Sequence, residues 1–166
     1  ELLLRNAAPP SDLPDALYGG LVPHAGWAYS GSIAAQTLRA LREAGSPETF
    51  VLLGADHTGT ARHGEVYPSG AWKTPLGETP IDEELAQDLL DAGQILRPNP
   101  EAHTVEHSIE VQIPLVQVAA ETPKILPIMV PPTRLAVELD KLIGQALKKR
   151  RGATTVDGSK DLTHHG

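Results

Sequence analysis

Apolar runs with β-strand character alternate along this chain with segments whose apolar positions recur at helical spacing. Residues 18–22 read as a strand; over 32–43, Ile33, Thr37, Leu38 and Leu41 recur with helical period, Ser30 standing where a cap is expected and Gly45 where the helix should stop. The almost wholly apolar stretch 49–53 has the signature of a strand buried on both faces, as in a parallel sheet. Residues 62–77 alternate loosely through Val66, Tyr67 and Trp72 among Pro and Gly, and read as a hairpin or a long ordered loop. A helix over 82–92 follows, with an acidic first turn and Leu85, Leu89 and Leu90 on its core face, closed by Gly93. Ile95 and Leu96 form a short strand cut off by Pro98 and Pro100. From about Val105 a further helix turns Ile109, Ile113 and Val116 inward, with Pro114 kinking or breaking it. A strand over 124–130, an amphipathic helix over 135–147 carrying Leu135, Leu139, Leu142 and Ala146 on one face, and a strand from 153 to 156 complete the series. Such alternation predicts an α/β fold, a mostly parallel sheet flanked by helices on both faces.

Composition narrows the partners. At 166 residues the chain has the size of one domain. Its aromatic fraction is 4%, so aliphatic side chains must fill the core and platforms for stacking bases are scarce. Fourteen basic against twenty-one acidic residues give a net charge of -7, which repels polyanions, so no nucleic acid or anionic lipid is expected as a partner. The one basic run, Lys148-Lys149-Arg150-Arg151, falls where a helix should end and is accounted for by the helix dipole. Without cysteine there is no disulfide, thiolate ligand or cysteine nucleophile. No segment approaches the roughly 18 continuous apolar residues of a membrane span, and no leader is recognisable, so the expected location is cytoplasmic.

The chemistry gathers where strands end. Three strand-like runs hand over to histidine: Val22-Pro23-His24-Ala25-Gly26, Leu53-Gly54-Ala55-Asp56-His57, and Asp161-Leu162-Thr163-His164-His165-Gly166 after the last strand. In open α/β sheets ligands bind beyond the carboxyl ends of strands, so these segments can share one site. A single histidine there is commonly a hydrogen-bonded structural residue; His24 and His57 together, with the carboxylate of Asp161, form the two-histidine, one-carboxylate set of non-haem iron(II) sites. Asp56 stands next to His57 as a candidate acceptor to fix its tautomer. A competing pattern is His103-Thr104-Val105-Glu106-His107, the H-x-x-E-H string of inverted zincins, which would make a zinc hydrolase if both histidines lay on one helix face. The plain alternative is a polar helix start, with Glu106 and Glu110 favoured near the helix N-terminus.

Taken in order, Val22-Pro23-His24-Ala25-Gly26-Trp27-Ala28-Tyr29-Ser30-Gly31, Leu53-Gly54-Ala55-Asp56-His57, Thr74-Pro75-Leu76-Gly77, Glu106-His107-Ser108-Ile109-Glu110 and Asp161-Leu162-Thr163-His164 resemble the Memo family (the Memo-like protein B of the AmmeMemoRadiSam system). The resemblance implies a fold like that of class III extradiol dioxygenases, with the pocket at the strand ends. It implies metal-site roles for His24, His57 and Asp161, acid–base roles for His164 and His107, and a pocket that Glu106, Glu110 and Tyr29 would face. The expected cofactor is iron(II), with copper or zinc as alternatives, and the expected ligand a small-molecule substrate; if enzymatic, the protein would be a metal-dependent oxidoreductase. The other functional class is a signalling module that binds a peptide in a vestigial dioxygenase pocket. The chain departs from the family pattern in two ways. It ends before the family's C-terminal segment with its further metal-site residue, giving a single Memo-like domain over 1–166 without that segment. Lys160 also stands where a serine is usual, placing a cation beside Asp161.

Overall fold

The computed structural model describes residues 1–150 and 154–160. Its elements follow the predicted alternation: α1 (Leu2–Asn6), β1 (Gly19–Val22), α2 (Trp27–Gly45), β2 (Thr49–Ala55), β3 (Gly64–Val66), β4 (Ala71–Thr74), β5 (Gly77–Pro80), α3 (Glu83–Ala92), β6 (Leu96–Pro98), a 3₁₀ turn (Pro100–Thr104), α4 (Ile113–Ala119), β7 (Lys124–Val130), α5 (Leu135–Lys149) and β8 (Thr154–Ser159). Six strands form one sheet in the order β1-β8-β2-β7-β3-β6, and β4 and β5 form a separate hairpin. The first four strands are mutually parallel; β3 runs antiparallel to β7, and β6 lies parallel to β3. The fold is therefore α/β with a mostly parallel sheet.

Helices α1, α2 and α4 group together on one face, while α3 and α5 pair on the other. The apolar runs explain both layers. β2 and β7 each bury five of their seven residues, and Phe50, Leu52, Leu126 and Ile128 are fully buried in the hydrophobic core. Each such aliphatic or aromatic side chain contributes roughly 1.5–3 kcal/mol when fully buried. Pro127, in a strand with neighbours on both sides, is tolerated because its carbonyl faces Tyr67 (3.0 Å) at the end of the β3 ladder. Its missing N–H thus falls where that ladder stops.

Several local expectations change. Helix α2 begins at Trp27 rather than after Ser30; Gly26 is its cap, and Ser30 lies buried in the first turn, donating to the Ala25 carbonyl (2.8 Å). Gly45 is the last helical residue, and Ser46 takes the left-handed turn that ends the helix (φ 44°). No helix spans 105–120 with a kink at Pro114. A 3₁₀ turn and a run of turns precede α4, and Pro114 sits in its first turn, where a missing N–H costs nothing. The segment 62–77 divides between β3 in the main sheet and the β4–β5 hairpin, whose Thr74 hydroxyl donates to Gln117 on α4 (2.6 Å). Arg150 does more than complement a helix dipole: its guanidinium meets buried Asp82, the N-cap of α3, at 2.7 Å. Helix α1 was not anticipated.

Candidate metal centre

The strand order makes neighbours of segments distant in sequence. β8 lies between β1 and β2, with Val22 opposite Ser159 and Leu53 opposite Gly158, so the loop carrying His24, the end of β8 and the loop carrying His57 emerge side by side. The turn segment 106–112 closes over them. Gly54 allows this approach, because a Cβ there would collide with Ile109 and come within 2.7 Å of the Ser108 hydroxyl. The Ser108 hydroxyl accepts from the Ala55 N–H (3.0 Å), the Gln112 amide donates to the Pro23 carbonyl (3.0 Å), and the Trp27 indole donates to the Val111 carbonyl (2.8 Å).

Three imidazoles meet there. The ring centres of His24 and His57 are 5.2 Å apart, those of His57 and His107 4.8 Å, and those of His24 and His107 5.8 Å. His24 is buried, and its Nδ1 lies 2.9 Å from the Ser159 hydroxyl. Since that hydroxyl gives its proton to the Ser108 carbonyl (3.1 Å), it accepts from His24, and Nδ1 is the protonated nitrogen. His57 is part-exposed; its Nδ1 lies 2.9 and 3.0 Å from the two oxygens of Glu106, which can only accept. The carboxylate also receives the backbone N–H groups of His57 (2.9 Å) and Ser108 (2.8 Å). Burial works to raise the Glu106 pKa, but these donors overcome it and hold the carboxyl down at about 2, so it is an anion at neutral pH.

Among the described residues, one ligand atom each from His57, Glu106 and His107 lies within 4.8 Å of the others, so this group could hold a metal ion. Imidazole nitrogen suits iron, copper and zinc alike, and the donor set fits such a divalent ion. Tyr29 and Glu110 are exposed, Tyr29 to 86%. Asp161 and His164 lie outside the described residues.

Two expectations are overturned. Asp56 does not orient His57. Its carboxylate turns back to accept from Thr58 (2.7 Å), Gly59 (3.0 Å) and Ala61 (2.9 Å), and although burial opposes it, these bonds lower its pKa. The H-x-x-E-H zinc hydrolase reading also fails. His103 belongs to the 3₁₀ turn and is buried edge-on to Tyr67 and Trp72, its Nε2 bonded to the Glu65 carbonyl (2.9 Å), while Glu106 serves His57. Nor is Glu106 part of a solvated helix start. The roles of Gly54, Ser108, Gln112 and Ser159 went unread; the signal present was small and polar residues set within otherwise apolar stretches.

A profile of the Memo-like protein family matches residues 3–166. A MEMO1 family protein of Thermococcus onnurineus is 40% identical over 153 residues, covering 89% of this chain and 53% of its own length. One of Sulfurisphaera tokodaii is 38% identical over 149 residues (87% and 52%), and one of Methanopyrus kandleri 37% identical over 174 (99% and 62%). The chain spans about half the length of the first of these relatives.

Proposed function

The chain belongs to the Memo-like family, and on that premise we propose that it binds a divalent metal at the carboxyl ends of β1, β8 and β2, in a redox centre of the dioxygenase type. The observation that carries this reading is the meeting of histidine rings from separate segments, His24 after β1 and His57 after β2, with a buried anion behind one of them. His24 and His57 are the ligands, each protonated at Nδ1 by its bond to Ser159 or Glu106 so that Nε2 is the coordinating atom. Asp161 supplies a carboxylate to the same ion. Iron(II) is the first candidate, with copper and zinc behind it.

The metal, when bound, supplies a centre at which an electron-rich small molecule and dioxygen can be held side by side. The protein's part is positional and acid–base. Glu106 holds His57 by two short contacts to the ring and one bond from its backbone N–H, and Ser159 holds the His24 ring; His164 takes or returns the substrate proton. The location proposed is cytoplasmic; among the described residues no helix is long and apolar enough to cross a membrane.

Anaerobic titration with iron(II), followed by absorption spectroscopy, tests the proposal. The wild-type chain should bind tightly and the His24→Ala, His57→Ala double variant should not; full affinity in the double variant would sink the metal site. Failure of the wild type to bind iron, copper or zinc would instead favour a peptide-binding module, whose partner affinity would survive chelation.

A further inference from the structure

We propose that His107 is a third imidazole ligand, so that His24, His57 and His107 form one face of the centre; this rests on the reading above for His24 and His57 and gives His107 a coordinating role in place of proton transfer. The three ring-centre separations, 5.2, 4.8 and 5.8 Å, form a nearly equilateral triangle. Imidazoles bound through nitrogen at about 2.0–2.1 Å from one ion carry their ring centres roughly 4.5–5 Å apart for bond angles between 90° and tetrahedral. The observed triangle is close to that spacing.

Glu106 explains why the third ligand is the histidine beside it and not Glu106 itself. Its oxygens already accept from the His57 ring, the His57 N–H and the Ser108 N–H, all at 2.8–3.0 Å, and it is buried away from the approach. A carboxylate so occupied orients ligands rather than binding the ion. It stands behind two rings at once: Glu106 Oε1 lies 2.9 Å from Nδ1 of His57 and 3.9 Å from Nδ1 of His107. Both rings thus turn Nδ1 toward the same anion, and the opposite nitrogen, Nε2, is the one directed away from it. His107 is held by its neighbours, since its carbonyl accepts from the Val111 N–H (3.1 Å) and Ser108, next in sequence, is pinned to β2. Its side chain remains 59% exposed, so the ring lies on the solvent side of the cluster.

Among first-row divalent ions the affinities should follow the Irving–Williams order, copper(II) above zinc and iron(II).

Copper(II) is the probe for the test. Pulsed EPR of the loaded full chain counts coordinated imidazoles, and a competition titration gives affinity. The wild type should report three imidazoles and His107→Gln two, with affinity lowered by at least the roughly 10-fold that loss of an orienting partner costs. Two imidazoles in the wild type, or an unchanged count and affinity in His107→Gln, would overturn the inference. If His107→Gln is unaffected while the His24→Ala, His57→Ala variant loses copper, only the third ligand is wrong; if the wild type binds no copper, both this inference and the proposed metal site fall.

Discussion

At the scale of single residues, two buried carboxyls respond to opposite forces. Glu106 is held ionised by several donors, so Glu106→Gln keeps the shape and removes the charge that fixes the His57 tautomer. Metal affinity should drop about 10–100-fold, and nitrogen-15 NMR of the metal-free protein should show His57 losing its exclusive Nδ1–H form; an unchanged tautomer would contradict the role given to Glu106. Asp157 lies in β8, fully buried, with no hydrogen-bond partner among the described residues, and burial pushes its pKa up to about 7. The native state therefore holds this proton more tightly than the unfolded chain. Stability from this group is complete below the ordinary carboxyl pKa of 3.8 and is lost as pH rises toward about 7. Asp157→Asn should abolish that decline, measured as the difference in denaturant midpoint between variant and wild type from pH 4 to pH 8; parallel profiles would show that Asp157 does not titrate there. His24 and His57 were legible because each follows a strand directly. The partner of His57 was not, since Asp56 is adjacent in sequence and Glu106 only in space.

At the scale of elements, the segment 106–112 decides the geometry of the centre, and its seat on β2 depends on Gly54. A methyl group at that position would strike Ile109 and crowd Ser108. Gly54→Ala should cost about 1–3 kcal/mol by overpacking and also weaken metal binding, because Ser108 and Glu106 move with the segment. Calorimetry and metal titration on the same preparation check this, and lost stability with unchanged affinity would separate the two. The long helices and the most apolar strands were readable from periodicity: α3 and β7 stand where the pattern put them, and α2 differs at its first turn. The segment around Pro114 was not, because the apolar spacing of Ile109, Ile113 and Val116 suits either a helix or a turn pressed onto a sheet. Packing against Gly54, together with the bonds of Gln112 to Pro23 and of Trp27 to Val111, holds the turn.

At the scale of the whole molecule, alternation of strand and helix gave the layered architecture, but not the order of the strands. The insertion of β8 between β1 and β2, and the reversed run of β3 and β6, come from pairings between residues as far apart as Gly19 and Val156, which no local pattern encodes. That insertion is what brings the loops of His24 and His57 to either side of Ser159, so the centre is a product of topology as much as of motif. The most direct measurement is the metal content of chain purified without chelators or a metal-affinity tag, compared with its His24→Ala, His57→Ala variant. A centre built on these histidines requires close to one iron, copper or zinc ion per wild-type chain and almost none in the variant. Equal metal in both, or none in the wild type even after anaerobic loading, would contradict it.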